Sequence, residues 1–296
     1  MAEPLRLCRH IGAHTRPTML SSEHAFALPT NHDKSSDWSW IPGVECRRIA
    51  AWILWWLGYP DQARQQSHEA ITLAQERAHP HSLAWALFYA ALLHCLCRKG
   101  QAAQERAEAT IALARQQEVP GMLARRTILR GWVLAEEGQR AEGIVQMRQG
   151  LAALQAAGLG LLRPLFLVLL AEVCGHMGQA DEGLSILDEA RALAQKHGAR
   201  YYEAELHRVR GELLLMRAME PHAEAEACFQ HALEVARRQQ AKLLELRAAM
   251  SLSRLWQRQG KRDEARQPLA EVYGWFAEGF DTADLQEAKV LLEDLS

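Results

Sequence analysis

The chain has 296 residues, of which 49% are hydrophobic and 24% charged, with 34 basic against 36 acidic side chains for a net charge of -2. That is the composition of a globular protein with a sizeable core, and it excludes a disordered or low-complexity chain. The near-neutral balance leaves neither counterion release nor surface attraction a net charge to work with, so no nucleic acid or anionic membrane partner is expected.

Residues 1–42 are rich in His, Pro, Ser, Thr, Asn and Asp and repeat no apolar face, which predicts an irregular arm. Trp38, Trp40 and Ile41 give that arm a way to dock on the first helices. From 43 to 296 the pattern changes. A glycine or a substitute recurs just before a short polar turn, at Gly58, Gly100, Gly138, Gly178, Glu220 and Gly260, with spacings of 42, 38, 40, 42 and 40 residues. A period near 40 is the signature of a helical solenoid. The expected repeats are 44–80, 81–120, 121–160, 161–199, 200–241 and 242–279.

Each repeat reads as an apolar-periodic helix, a Gly-polar turn, a second amphipathic helix and a breaker. The predicted pairs are 44–57 with 61–77, 82–98 with 101–117, 121–137 with 140–156, 162–177 with 180–196, 200–218 with 222–239, and 242–259 with 262–277. Glycine suits the turn because the chain there must turn left-handed; Glu220 lacks that freedom, but Pro221 stops the helix. Small residues recur at an interval of seven in the second helices: Ala63 with Ala70, Gly143 with Gly150, Gly183 with Ala190, Ala225 with Ala232 around Phe229, and more loosely Ala265 with Val272. In the first helices Ala51, Gly131, Ala171 and Ser253 fall seven before the turn. These positions let backbones approach where helices cross.

A last helix is expected within 282–295, capped by Asp281 or Thr282, with Leu285, Ala288, Leu291, Leu292 and Leu295 on one face and Asp284, Glu287, Lys289 and Glu293 polar. It seals the C-terminal end of the array. The first helix has no such cover. It is apolar nearly all round, with Trp52, Trp55 and Trp56, so self-association through that uncapped end is expected, or truncation from a longer protein.

The small-aromatic-small-breaker pattern of Gly58, Ala63, Ala70 and Pro80 resembles the tetratricopeptide repeat (TPR) family, with a period longer than the family's usual one. The resemblance implies an all-α, TPR-like right-handed α-α superhelix of about six helical pairs plus the C-terminal cap helix. A narrower likeness lies in Gly58-Tyr-Pro-Asp-Gln-Ala63, Ile128-Leu-Arg-Gly-Trp132, Tyr202-Glu-Ala-Glu-Leu206, Ala223-Glu-Ala-Glu-Ala-Cys-Phe229 and Tyr273-Gly-Trp-Phe276. These stretches resemble the C-terminal TPR region of bacterial adenylate/guanylate cyclase–AAA ATPase signalling proteins. The likeness implies a regulatory or interaction segment and transfers no catalytic residue; a reducing cytoplasm is expected from the irregularly spaced cysteines.

No reaction is written in the motifs. Gly158-Leu-Gly160 lacks the third glycine and the preceding strand of a dinucleotide fingerprint, and no Gly-Lys-Ser/Thr occurs. His94, Cys95 and Cys97 share a helix on which positions two apart diverge, so no metal is expected; His79-Pro-His81 reads as an exposed turn. The six cysteines are irregularly spaced and read as free, mostly buried thiols. No segment reaches the roughly 20 apolar residues of a membrane span. The Asp and Glu residues read as solvated helix faces. The expectation is a non-enzyme without cofactor.

A solenoid of helical pairs exposes a concave groove lined by its first helices. Counting back from each turn gives Glu45, Arg48, Trp52 and Trp55 in the first repeat, Arg125 and Trp132 in the third, Glu172 in the fourth, His207 and Arg210 in the fifth, and Arg247 and Arg254 in the sixth. Aromatic and arginine anchors suit a protein groove. The expected partner is a protein or peptide segment with acidic residues and an apolar anchor. Two other readings stay open: the effector-sensing arm of a transcription regulator similar to the maltose-activator type, and an enzyme built from dispersed residues.

Overall fold

The structure, a computed structural model, describes residues 41–97, 121–160, 162–198, 200–217 and 222–296. The expectations for the arm, for the turns at Gly100 and Glu220, and for a helix over 101–117 fall outside the described residues. The described helices are α1 (Pro42–Leu57), α2 (Pro60–Glu76), α3 (Pro80–Leu96), α4 (Met122–Glu136), α5 (Arg140–Ala156), α6 (Arg163–His176), α7 (Ala180–His197), α8 (Glu203–Arg217), α9 (Ala223–Gln239), α10 (Lys242–Arg258), α11 (Arg262–Tyr273) and α12 (Ala283–Asp294). Consecutive helices pack as antiparallel pairs, α1 on α2, α4 on α5, α6 on α7, α8 on α9 and α10 on α11. Successive first helices stack on one another. The fold is an all-α, TPR-like superhelix.

In the four pairs whose turn is described, that turn is chemically the same. Gly58, Gly138, Gly178 and Gly260 all have φ between +75° and +93°. In each case the N–H of the next residue reaches back to a carbonyl in the last helical turn: Tyr59 to Leu54 at 2.9 Å, Gln139 to Leu134 at 2.8 Å, Gln179 to Cys174 at 3.0 Å and Lys261 to Trp256 at 3.0 Å. These bonds satisfy carbonyls the helix leaves without a donor, and the left-handed residue makes them possible.

The small residues mark where the two helices of a pair cross. A Cβ on Gly131 would sit 2.6 Å from the carbonyl oxygen of Gly143, and one on Gly150 would sit 2.6 Å from that of Ala124. In the sixth pair Ser253 donates its hydroxyl to the Ala265 carbonyl at 2.6 Å. In the fifth, the Phe229 ring occupies the space a side chain at Gly211 would need.

Three local expectations are corrected. His79-Pro-His81 is not an exposed turn but the start of α3: Pro80 is its first residue, and His79 Nδ1 accepts the Ser82 N–H at 3.1 Å. The helix predicted over 262–277 ends at Tyr273, and the chain then lays Trp275 and Phe276 against the turn at Gly58 and Tyr59. Thr282 stands at the start of α12 but does not cap it by its side chain; its hydroxyl donates to the Gly279 carbonyl at 2.7 Å.

The superhelix curls far enough for its ends to meet. Helix α10 packs on α1. The Trp56 ring lies 5.2 Å from Tyr202, and Tyr59 5.3 Å from Trp275. Glu278 accepts the backbone N–H groups of Asp61 at 2.9 Å and Gln62 at 3.2 Å, so a residue of the last unit caps α2. Asp61 in turn accepts the Gly279 N–H at 3.1 Å, and Arg64 bonds Asp281 at 3.1 Å. The tryptophans of α1, expected to lie uncovered at the N-terminal end, are covered by the chain's own last units; Trp55 and Trp56 are each 1% exposed.

Candidate functional site

Because the ends meet, the inward faces of the first helices look at one another and not at an open groove. Two clusters result. The first is a network of buried charge around Arg208 and Arg247. Arg208, on α8, holds Glu205 with two nitrogens at 2.7 and 2.9 Å, Glu172 of α6 at 2.8 Å and Glu212 at 2.6 Å. Arg247, on α10, grips both carboxylate oxygens of Asp284 and donates to the Leu96 carbonyl at 2.7 Å. Its third nitrogen lies 3.4 Å from Glu205, which joins the two arginines, and its guanidinium stands 5.3 Å from the Trp55 ring centroid. Ser251 completes the set by donating to Glu212 at 2.8 Å.

The electrostatics follow from this geometry. Burial by itself raises the Glu205 carboxyl, but Arg208 and Arg247 overcome it and the net shift is downward. Burial would lower Arg208; its three carboxylate neighbours raise it well above its ordinary value. The nearby Cys97 thiol is pushed up to about 11 by burial and then by Asp284, so it stays protonated. Each carboxylate here accepts from a guanidinium, which is what makes buried charge tolerable. The arrangement ties together α6, α8, α10, α12 and the end of α3.

The second cluster joins α1, α3 and α4. Arg48 stacks on Tyr89 at 4.5 Å and on Trp85 at 5.5 Å and is paired with Glu45. Arg125 approaches the Trp85 ring centroid to 4.8 Å. Trp52 meets Tyr89 and Trp56 edge-on, each at 5.6 Å. Burial pulls the Arg125 guanidinium below its ordinary value, with Tyr89 opposing.

The residues predicted to line a groove therefore separate into two sets. Glu45, Trp52, Trp55, Arg125, Trp132, Glu172 and Arg247 are buried inside the closed superhelix. Arg48 is largely covered. His207, Arg210 and Arg254 lie toward the rim. There Arg210 pairs with Asp188 and Arg254 with Glu287, each at 2.9 Å. The His207 ring stands 4.3 Å from His231, and burial, His231, Arg191 and Arg210 lower its pKa to about 4.

Sequence reasoning missed Glu205, Arg208 and Asp284, having read acidic residues as solvated. Glu45, Glu172, Glu205, Glu245 and Asp284 are instead buried. A signal existed: Glu205 and Glu245 stand forty apart, at equivalent places in consecutive repeats, on helix faces otherwise apolar. Among the described residues Cys97 and Cys174 are buried free thiols, Cys46 and Cys95 are buried, and Cys228 is half-buried. No group of three His, Cys, Asp or Glu is placed among them to hold a metal ion. No described helix is long and apolar enough to cross a membrane.

No protein-family model matches the chain. It is 26% identical over 202 residues to an uncharacterized protein of Rhizobium meliloti (strain 1021); the match takes in 68% of this chain and 20% of that protein. The matched segment thus spans about a fifth of that relative's length. Among solved structures, the crystal structure of yeast Tom70 is similar with a TM-score of 0.42 and 15% identity, over 94% of this chain and 69% of that one.

Proposed function

We propose that the chain is a non-catalytic protein-interaction and regulatory scaffold, serving as the kind of tail the cyclase–ATPase signalling proteins carry. The observation that supports this best is where the ionisable groups of the interior are spent. Glu172, Glu205, Glu212 and Asp284 each accept from Arg208 or Arg247 and hold helices, not a substrate. Similarity to one fifth of a much longer relative is in keeping with a segment that works alongside other domains.

The partner surface in this reading is the rim carrying His207, Arg210 and Arg254, and the partner is an acidic protein segment acting in the cytoplasm. Arg210 and Arg254 are 33% and 42% exposed, and each holds a carboxylate of a neighbouring helix. Exposed pairs of this kind contribute about 0.2–1 kcal/mol, so a partner carboxylate exchanges with them at little cost. Affinity capture compared between the native chain and Arg210→Glu with Arg254→Glu tests it. A protein retained by the first and lost by the second, at equal helicity by circular dichroism, is the expected result; equal retention by both rejects the rim. A second reading, the effector-sensing arm of a maltose-activator-like regulator, is favoured by one observation, the buried Arg125 without an acidic partner among the described residues.

A further inference from the structure

The first turn of α4 concentrates positive charge. The helix opens after Gly121, no side-chain cap bond is made there, and no acidic residue lies in its first turn. The leading N–H groups of any helix lack intrahelical acceptors and carry partial positive charge. Arg125 closes this turn and Arg126 follows it, both buried. Arg125 runs back toward the helix start, the direction helical side chains take, so that a Cβ on Gly121 would sit 2.9 Å from its Nη1. Such a Cβ would also strike Leu159, and Gly121 has φ +69°, so only glycine fits at this position, with Leu159 and the Arg125 guanidinium packed against it.

Arg125 is 6% exposed, and its Nε and Nη1 donate to no acceptor among the described residues. The neighbouring Arg48 has Glu45; Arg125 has the face of Trp85. A ring face attracts a cation but accepts none of its five N–H donors in the plane of the fork. A guanidinium taken out of water is tolerated when an anion meets it.

We propose that the first turn of α4 is a binding site for a small oxyanion, a phosphate or carboxylate group, held by the Arg125 fork together with the leading N–H groups of the helix. Helix N-termini bind such groups through oriented N–H donors and the helix dipole, and arginine binds them two-pronged. The site lies inside the closed superhelix, where a small ion reaches more readily than a folded partner. It does not depend on the rim carrying Arg210 and Arg254, and its test leaves that rim untouched.

Thermal unfolding and titration calorimetry with sodium phosphate, against sodium chloride at equal ionic strength, test the site on the full chain. Phosphate is expected to raise the unfolding temperature of the native protein saturably by several degrees. Arg130→Met, at an exposed position of the same helix, keeps that response. Arg125→Met abolishes it, and in chloride alone unfolds at a higher temperature than the native chain, because the buried unpaired charge is gone. A phosphate response equal in Arg125→Met, no saturable response in the native chain, or an Arg125→Met protein less stable in both salts overturns the proposal. Should Arg125→Met fail to fold, Arg125→Lys keeps the charge and loses the fork; a loss of phosphate affinity of about fivefold or more supports the site, and unchanged affinity overturns it. Arms with acetate and with methyl phosphate separate a carboxylate ligand from a phosphate ester.

Discussion

Arg247 and Asp284 meet in a two-pronged ion pair, Nε at 3.1 and 3.2 Å from the two carboxylate oxygens and Nη2 at 2.8 Å from one of them. The pair fastens α12 to α10, and the same guanidinium reaches the Leu96 carbonyl at the end of α3. One side chain therefore joins the last helix, the sixth unit and the second. It sits 6% exposed, with the Trp55 ring over it. The closure of the superhelix converges on this residue.

Breaking that pair from one side is expected to be costly. Asp284→Ala takes from the buried Arg247 guanidinium its two-pronged carboxylate partner, and is expected to lower the unfolding free energy by roughly 3–5 kcal/mol. Replacing both partners, Arg247→Met with Asp284→Leu, is expected to recover most of the loss, because neither half of the pair is then left buried without the other, and Glu205 keeps Arg208. Urea unfolding of the three proteins checks this; a loss below about 1 kcal/mol for Asp284→Ala contradicts it.

Acid is expected to act through Glu205. Its carboxyl binds a proton more weakly in the folded chain than in the unfolded one, since Arg208 and Arg247 outweigh the effect of burial. Its contribution is complete above the unfolded value of about 4.3 and drains away as the pH falls toward the lower, folded value. The urea midpoint of the native protein is expected to fall below about pH 4.3. Glu205→Gln is expected to be less stable at neutral pH and to lose less on acidification. Parallel pH profiles for the two proteins argue against this role.

The crossing of α4 and α5 offers a test of sign. In an exposed helix Gly→Ala gains about 1 kcal/mol from backbone entropy. At Gly143 the new methyl meets the Gly131 carbonyl oxygen, with Ala135 also at 3.0 Å, and a backbone oxygen cannot turn aside. Overpacking costs about 1–3 kcal/mol, so a net loss is expected. A rise in the urea midpoint of Gly143→Ala shows that the crossing yields.

Much of the fold was legible in the sequence because it is local. The recurring glycine, the seven-residue interval of small residues and the apolar period each report on one helix or one pair. The bonds that carry them out run within a few residues, as from Tyr59 to Leu54. The candidate site was less legible. Trp55 and Arg247, expected to line a groove, are buried inside the closed superhelix, and the acidic partners that make Arg247 tolerable were read as solvated. Asp284 is the clearest instance: in α12 alone it is a polar residue in a first turn, where it complements the helix dipole. Only contact with α10 turns it inward.

The sequence by itself determined the all-α class, the turns at Gly58, Gly138, Gly178 and Gly260 and the small residues where α4 crosses α5, since these are interactions between residues close along the chain. The tertiary structure alone decided that Glu278 caps α2, that Arg247 reaches Leu96 and that the tryptophans of α1 are covered from the far end. The reason is geometric. Each helical pair adds a small rotation to the next, and whether the ends meet depends on the accumulated sum of those rotations, a property that no single repeat contains.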